Sequence, residues 1–270
     1  MKITFRHVDE EYYGVQELIK PIVDIAIPYD IFICIVCEIL NSFDSYSEHI
    51  VNDVKKALKL YKYRLNSEDE KMVADYTVFS ELLEKFYWNI VDDEFGMKIK
   101  KFNDMQYYHG GLRYSDGRLG RYRGLLFEEL VIAIVKDRFI DKSFSTGCQI
   151  YVNNTRVIAR YGEGNAQHKE TMDIAGWVET VKYGEFYECK ISPKRFGKEN
   201  YMYFMELKKV LDENNVNTYV IAFVSADARV NLEMQKRYLE TNNQECKMDF
   251  QLLGREDIYT IKDFCIPEIA

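Results

Sequence analysis

The sequence predicts an α/β protein of the α+β kind, with a mixed central sheet flanked by helices and a mainly helical domain before it. Three observations carry that expectation. The first hundred residues read mostly with helical periodicity; a stretch from Gly110 to Gly124 holds five of the chain's fourteen glycines; and beyond it the elements run helix, several strands, helix, strand, helix, strand. That order needs a shared sheet with helices on both faces. The expected division is therefore a helical domain over 1–112, serving partner binding, dimerisation or target recognition, and a sheet domain over 113–270.

The elements follow from local pattern. The alternating KITFRHV suits a short strand, and the segments Glu10 to Ala26, Tyr29 to Phe43, Glu48 to Leu65 and Glu68 to Ile90 suit helices. Ser67 followed by Glu70 has the spacing of a capping box at the start of the fourth. Between the domains, YHGGLRYSDGRLGRYRG is either a solvated linker or a phosphate-contacting loop, since Arg113, Arg118, Arg121 and Arg123 face only Asp116 in charge. Its glycine spacing fits neither a dinucleotide-binding turn nor a P-loop. Then come a helix, LLFEELVIAIVKDRF, and the strand-like GCQIYVN, RVIARYG, TMDIAGWV and EFYECKIS. A helix over Lys198 to Glu213, the apolar strand TYVIAFVSA, a helix over Asp227 to Thr241 and a strand near MDFQLL complete the order.

At 270 residues with 47% hydrophobic and 30% charged side chains, the chain has the makings of a globular protein rather than a disordered one. MKITFRHVDEE lacks the basic start and apolar stretch of a secretory signal, so export is not expected. The most apolar window, Ile22 to Leu40, contains Asp24, Pro28, Asp30 and Glu38, which suits a buried core helix and not a membrane span. Six scattered cysteines build no disulfide framework and point to a reducing cytoplasm. Cys34 and Cys37 form a CxxC inside IFICIVCEIL, with no second pair to complete a zinc site, and read as core.

The net charge of −8 argues against a protein that coats nucleic acid through bulk electrostatics. Residues 1–100 carry 19 acidic and 12 basic side chains, a balance of −7, so any repulsion of polyphosphate sits in the N-terminal part.

Candidate chemistry comes from carboxylates that fall on apolar faces. On a helix advancing ~100° per residue, Gly124, Val131, Ile132, Val135 and Phe139 lie within about 60° of Glu128, whereas Glu129 points to the polar side. In EFYECKI the period of two puts Phe186, Glu188 and Lys190 on one strand face and Tyr187, Cys189 and Ile191 on the other. Asp173 projects alone between Met172 and Ile174, and a turn at Lys182 to Glu185, bending at Gly184, makes the two strands antiparallel neighbours. Carboxylates aimed at a core need a partner, and a hard divalent cation such as Mg²⁺ is a strong one. Such a cation would supply an activated water and charge neutralisation for phosphoryl chemistry, with a lysine beside it to orient that water.

Gly124, Phe127 and Glu128 in the helix, the isolated Asp173, and Glu188-x-Lys190 resemble the PD-(D/E)XK nuclease superfamily, which includes type II restriction enzymes and archaeal Holliday junction resolvases. The likeness covers roughly 117–255, and Met172 stands where the proline of the motif's name would be. It implies a restriction-endonuclease-like core, Asp173 and Glu188 as ligands of Mg²⁺ or Mn²⁺ together with the Cys189 carbonyl, Glu128 as a further ligand often reached through water, and Lys190 as the catalytic lysine.

The resulting expectation is a Mg²⁺-dependent endonuclease acting on DNA, with Glu128, Asp173, Glu188 and Lys190 as its catalytic set and a homodimer as one way to cut two strands. The alternatives are a structure-specific resolvase or RNase, and a non-catalytic nucleic-acid- or protein-binding module on the same scaffold. Lys194, Arg195 and Lys198, with Arg121 and Arg123, either grip the phosphate backbone or are solvated basic turns. His168 and Glu170 either assist a water or leaving group or are incidental, and Tyr161, Trp177 and Tyr183 either stack on bases or pack.

Overall fold

A computed structural model describes residues 1–8, 16–45, 47, 49–65, 69–103, 113–140, 142–162, 164, 166–216, 218–242 and 250–267; for 91–103 and 113–118 it describes the backbone only. The chain forms a mixed α/β fold with a seven-stranded sheet flanked by helices and a helical N-terminal region. Its contacts divide it into Tyr12–Leu130 and a second unit made of Met1–Glu11 with Val131–Ala270. Among the described residues no helix is long and apolar enough to cross a membrane.

The first unit is helical. Its helices are α1 (Gln16–Ala26), α2 (Asp30–Ser42), α3 (Ile50–Tyr61), α4 (Glu70–Asn103) and most of α5 (Arg113–Lys136). The apolar window divides at Pro28, whose missing amide and fixed φ favour a break, into α1 and the core helix α2. On α2, Phe32, Ile33, Ile35, Val36, Cys37, Ile39 and Leu40 are buried, which accounts for Cys37 as packing. The capping residue before α4 is Asp69, whose Oδ1 accepts the Met72 amide at 2.8 Å; Ser67 lies outside the described residues. The basic, glycine-bearing stretch is helix and not linker from Arg113 onward. Burial of Leu119, Arg123, Leu126, Phe127 and Leu130 at helical spacing outweighs the roughly 1 kcal/mol that each internal glycine costs.

The second unit is built on the sheet β1-β2-β6-β7-β8-β9, with β3 paired to β2. The strands are β1 (Ile3–His7), β2 (Ser143–Val152), β3 (Thr155–Arg156), β6 (Met172–Val178), β7 (Tyr183–Lys190), β8 (Thr218–Ser225) and β9 (Gln251–Leu253), while β4 (Ala159–Tyr161) and β5 (Gln167–Lys169) form a separate hairpin. β1, counted with the helical domain in the sequence, pairs antiparallel with β2 from Ile3–Val152 to His7–Cys148. The β2-β6-β7 ladder is antiparallel. β7, β8 and β9 are parallel, because α6 (Lys198–Glu213) and α7 (Arg229–Asn242) make the crossovers between them.

The β6-β7 turn is earlier than its glycine suggests. Lys182, at φ 50°, closes the turn by donating its amide to Glu179 O at 3.3 Å, and Gly184 lies inside β7 opposite Trp177. A Cβ on Gly184 would stand 2.7 Å from the Phe186 ring, so the glycine is there for close packing. Phe186, Phe204 and Phe223 join Trp177, Tyr201 and Leu207 in the core between this sheet face and α6, with Phe204 stacked on Phe223 at 4.3 Å. On the other face, Phe139 packs over Gly176, and the buried Glu185 carboxylate pairs with Arg138 and accepts from Tyr183 OH at 2.8 Å and Tyr187 OH at 2.5 Å. Arg138 also donates to Ile261 O at 2.6 Å, tying the C-terminal segment to the sheet.

Candidate metal and phosphate site

The site begins where the β6-β7 ladder stops. Backbone pairing ends at Ile174–Tyr187. Two residues further along β7, the Cys189 amide donates to Asp173 Oδ2 at 2.7 Å, so a side chain replaces the main-chain acceptor. That bond holds the Asp173 carboxylate against β7, on the face that also carries Phe186, Glu188 and Lys190. Lys190 Nζ bridges the two acids, 2.9 Å from Asp173 Oδ2 and 2.9 Å from Glu188 Oε1. Three of the four residues expected to act together are thus in one cluster.

Glu188 is 1% exposed, and its two oxygens differ. Oε1 accepts from Lys190, from Lys169 Nζ at 3.1 Å and from Asn200 Nδ2 at 2.6 Å. Among the described residues, Oε2 is buried with no hydrogen-bond partner. Buried polar atoms are rarely left unpaired, so an orphaned carboxylate oxygen beside a second carboxylate fits an oxygen-seeking cation. Burial, and then the nearby Asp173 charge, lift the Glu188 carboxyl above its ordinary range. Burial opposes the charge on Lys190, but Asp173 and Glu188 outweigh it and hold the amine charged well above its ordinary value.

Lys169 and Asn200 were not read as site residues in the sequence. Lys169 ends β5, inside the charged run HKE that passes for a solvated loop. Asn200 is buried in the first turn of α6, and its Oδ1 accepts the Gly197 amide at 3.1 Å. The same side chain therefore fixes the start of the helix and the position of Glu188. A polar residue three places after a glycine at a helix start was the available signal, and it reads equally well as capping alone.

The other expected residues are placed as follows. Glu128 is half-buried on α5, in the Tyr12–Leu130 unit, and its membership of the set rests on the resemblance. Arg123 is corrected. It is 5% exposed, and its guanidinium donates to Leu40 O, from Nε at 2.8 Å, and to Asp44 O at 3.3 Å, satisfying carbonyls at and just beyond the end of α2. Arg121 is exposed on the same helix. Lys194 and Arg195, in the turn Pro193–Arg195, and Lys198, at the start of α6, are all exposed directly after β7. Glu170 is engaged by Gln149 at 2.7 Å, Arg156 at 3.1 Å and His168 at 3.6 Å. Trp177 and Tyr183 are buried as packing. The Cys189 side chain is buried.

Comparison of the sequence with protein families and with curated proteins finds no match.

Among the described residues, no group of three or more His, Cys, Asp or Glu side chains forms a metal cluster. The local metal-ligating groups are two carboxylates, one with an oxygen that has no hydrogen-bond partner among the described residues, and two ammonium groups lie beside them. That set suits a cation that keeps part of its water shell, as Mg²⁺ does, and not a closed structural zinc site.

Proposed function

We propose that this protein is a Mg²⁺- or Mn²⁺-dependent endonuclease that hydrolyses phosphodiester bonds of DNA, on a core of the PD-(D/E)XK kind. The observation that carries the reading is the convergence of Asp173, Glu188 and Lys190 on one sheet face, with Glu188 Oε2 buried and unpaired. Asp173 and Glu188 would hold the cation, together with the Cys189 carbonyl that the resemblance implies. When bound, the cation lowers the pKa of a water and neutralises charge on the phosphoryl oxygens.

The chain's own residues do the remaining work. Asn200 and the Cys189 amide hold the two carboxylates in position before the substrate arrives. Lys190, charged between Asp173 and Glu188, would orient the attacking water and balance the negative charge that grows on the phosphate. Lys194, Arg195 and Lys198, exposed just after β7, supply sequence-independent contacts to the backbone. The helical N-terminal unit would serve target recognition or dimerisation, and six cysteines scattered without a paired framework suit a reducing cytoplasm.

The test is incubation of the purified full-length chain with Mg²⁺ or Mn²⁺ and plasmid, linear and branched DNA, and RNA. Cleavage of DNA that stops in Asp173→Asn supports the reading, and cleavage confined to RNA or to branched DNA redirects it to the corresponding nuclease. Intact substrates throughout would leave a non-catalytic binding module, a reading favoured by the complete ionic satisfaction of Glu188 Oε1.

A further inference from the structure

Resting on the metal-site reading above, the charges around Glu188 carry a further consequence. Two carboxylates, Asp173 and Glu188, are matched by two ammonium groups, Lys190 and Lys169, so the cluster is already neutral. The two lysines arrive from different elements. Lys190 is on β7 itself, whereas Lys169 ends the β4-β5 hairpin outside the main sheet and reaches Glu188 Oε1 from there. Its Nζ lies 6.0 Å from the centre of the Tyr203 ring on α6, and its side chain is 15% exposed, so the ammonium is held in a largely dry environment. In such surroundings a fixed positive charge opposes an incoming divalent cation more strongly than it would in water.

We propose that Lys169 is a positioning residue that couples divalent-cation binding to the arrival of an anionic substrate. Without substrate, its ammonium occupies Glu188 Oε1 and holds the cation's affinity down. A phosphate bound at the site gives Lys169 a second anionic partner, which relieves its opposition to the cation. Each ligand then favours the other, and by linkage the two effects are equal. The substrate class implied is a phosphate ester carrying net negative charge, recognised at this point by charge and not by base identity.

Calorimetric titration of the full-length protein with Mn²⁺ tests this, in the absence and presence of dTMP, a phosphate ester with no phosphodiester to cleave. Lys169→Gln is expected to bind Mn²⁺ about tenfold more tightly than the wild type, because one opposing charge is gone. Lys169→Arg, which keeps the charge, is expected to bind as the wild type does and so separates loss of charge from loss of fold. Addition of dTMP is expected to tighten Mn²⁺ binding in the wild type and to have little effect in Lys169→Gln. Equal or weaker Mn²⁺ binding by Lys169→Gln, or an undiminished effect of dTMP on it, overturns the coupling while leaving the metal site intact. Mn²⁺ binding that survives Asp173→Asn, or its absence from every variant, instead removes the metal site itself and the coupling with it.

Discussion

The Cys189 amide donates to the Asp173 carboxylate at 2.7 Å, where the next rung of the β6-β7 ladder would otherwise lie. One side chain thus has two tasks, ending the strand pairing and presenting a charge to Lys190. The two tasks separate by substitution. Asp173→Asn keeps an acceptor for the amide and is expected to fold normally, with cleavage reduced at least about a hundredfold through loss of the charged ligand. Asp173→Ala loses the acceptor as well and is expected to cost about 1–3 kcal/mol in urea unfolding.

The Glu185–Arg138 pair lies on the opposite face and is structural. Glu185 is fully buried, and two tyrosine hydroxyls share its oxygens. Glu185→Ala leaves a nearly buried guanidinium without its partner and is expected to destabilise the fold by about 3–5 kcal/mol. Replacement of Glu185 and Arg138 together by apolar residues is expected to recover much of that loss, as a double-mutant cycle in urea will show.

The basic residues divide into two classes. Arg123→Ala is expected to lower stability by about 1–3 kcal/mol, because the carbonyls of Leu40 and Asp44 lose their donor, and to leave DNA affinity unchanged. Lys194→Ala and Arg195→Ala are expected to do the reverse. Each should weaken DNA binding uniformly across sequences and reduce the slope of log affinity against log salt by about 1, measured by fluorescence anisotropy at several salt concentrations.

Gly120 sits inside α5 with open space where a Cβ would go. Gly120→Ala is therefore expected to stabilise the protein by about 0.5–1 kcal/mol, since the alanine loses less conformational freedom on folding. A decrease in the urea midpoint would show that this position is not an ordinary helical one.

Strand alternation was enough to put Glu188 and Lys190 on one face, whereas Asp173 joins them through the β6-β7 register, which sets Ala175 opposite Phe186. Lys198 to Glu213 was likewise legible as a helix to the residue. The glycine-rich stretch before Gly124 misled, since local propensity cannot register the burial of Leu119, Arg123 and Phe127 that makes it helical. Gly184 misled in the same way, as a turn signal whose actual task is to make room for Phe186. Lys169 and Asn200 were illegible for a different reason. They come from a side hairpin and a crossover helix, and only the tertiary fold brings their nitrogens to Glu188.

The proposed metal centre is tested most directly by a crystal of the protein soaked in Mn²⁺, with anomalous diffraction recorded at the manganese edge. An anomalous peak about 2.0–2.2 Å from an Asp173 oxygen and from Glu188 Oε2 is the expected result. A map with no peak between those carboxylates, or with its manganese bound elsewhere, contradicts a metal centre at this site.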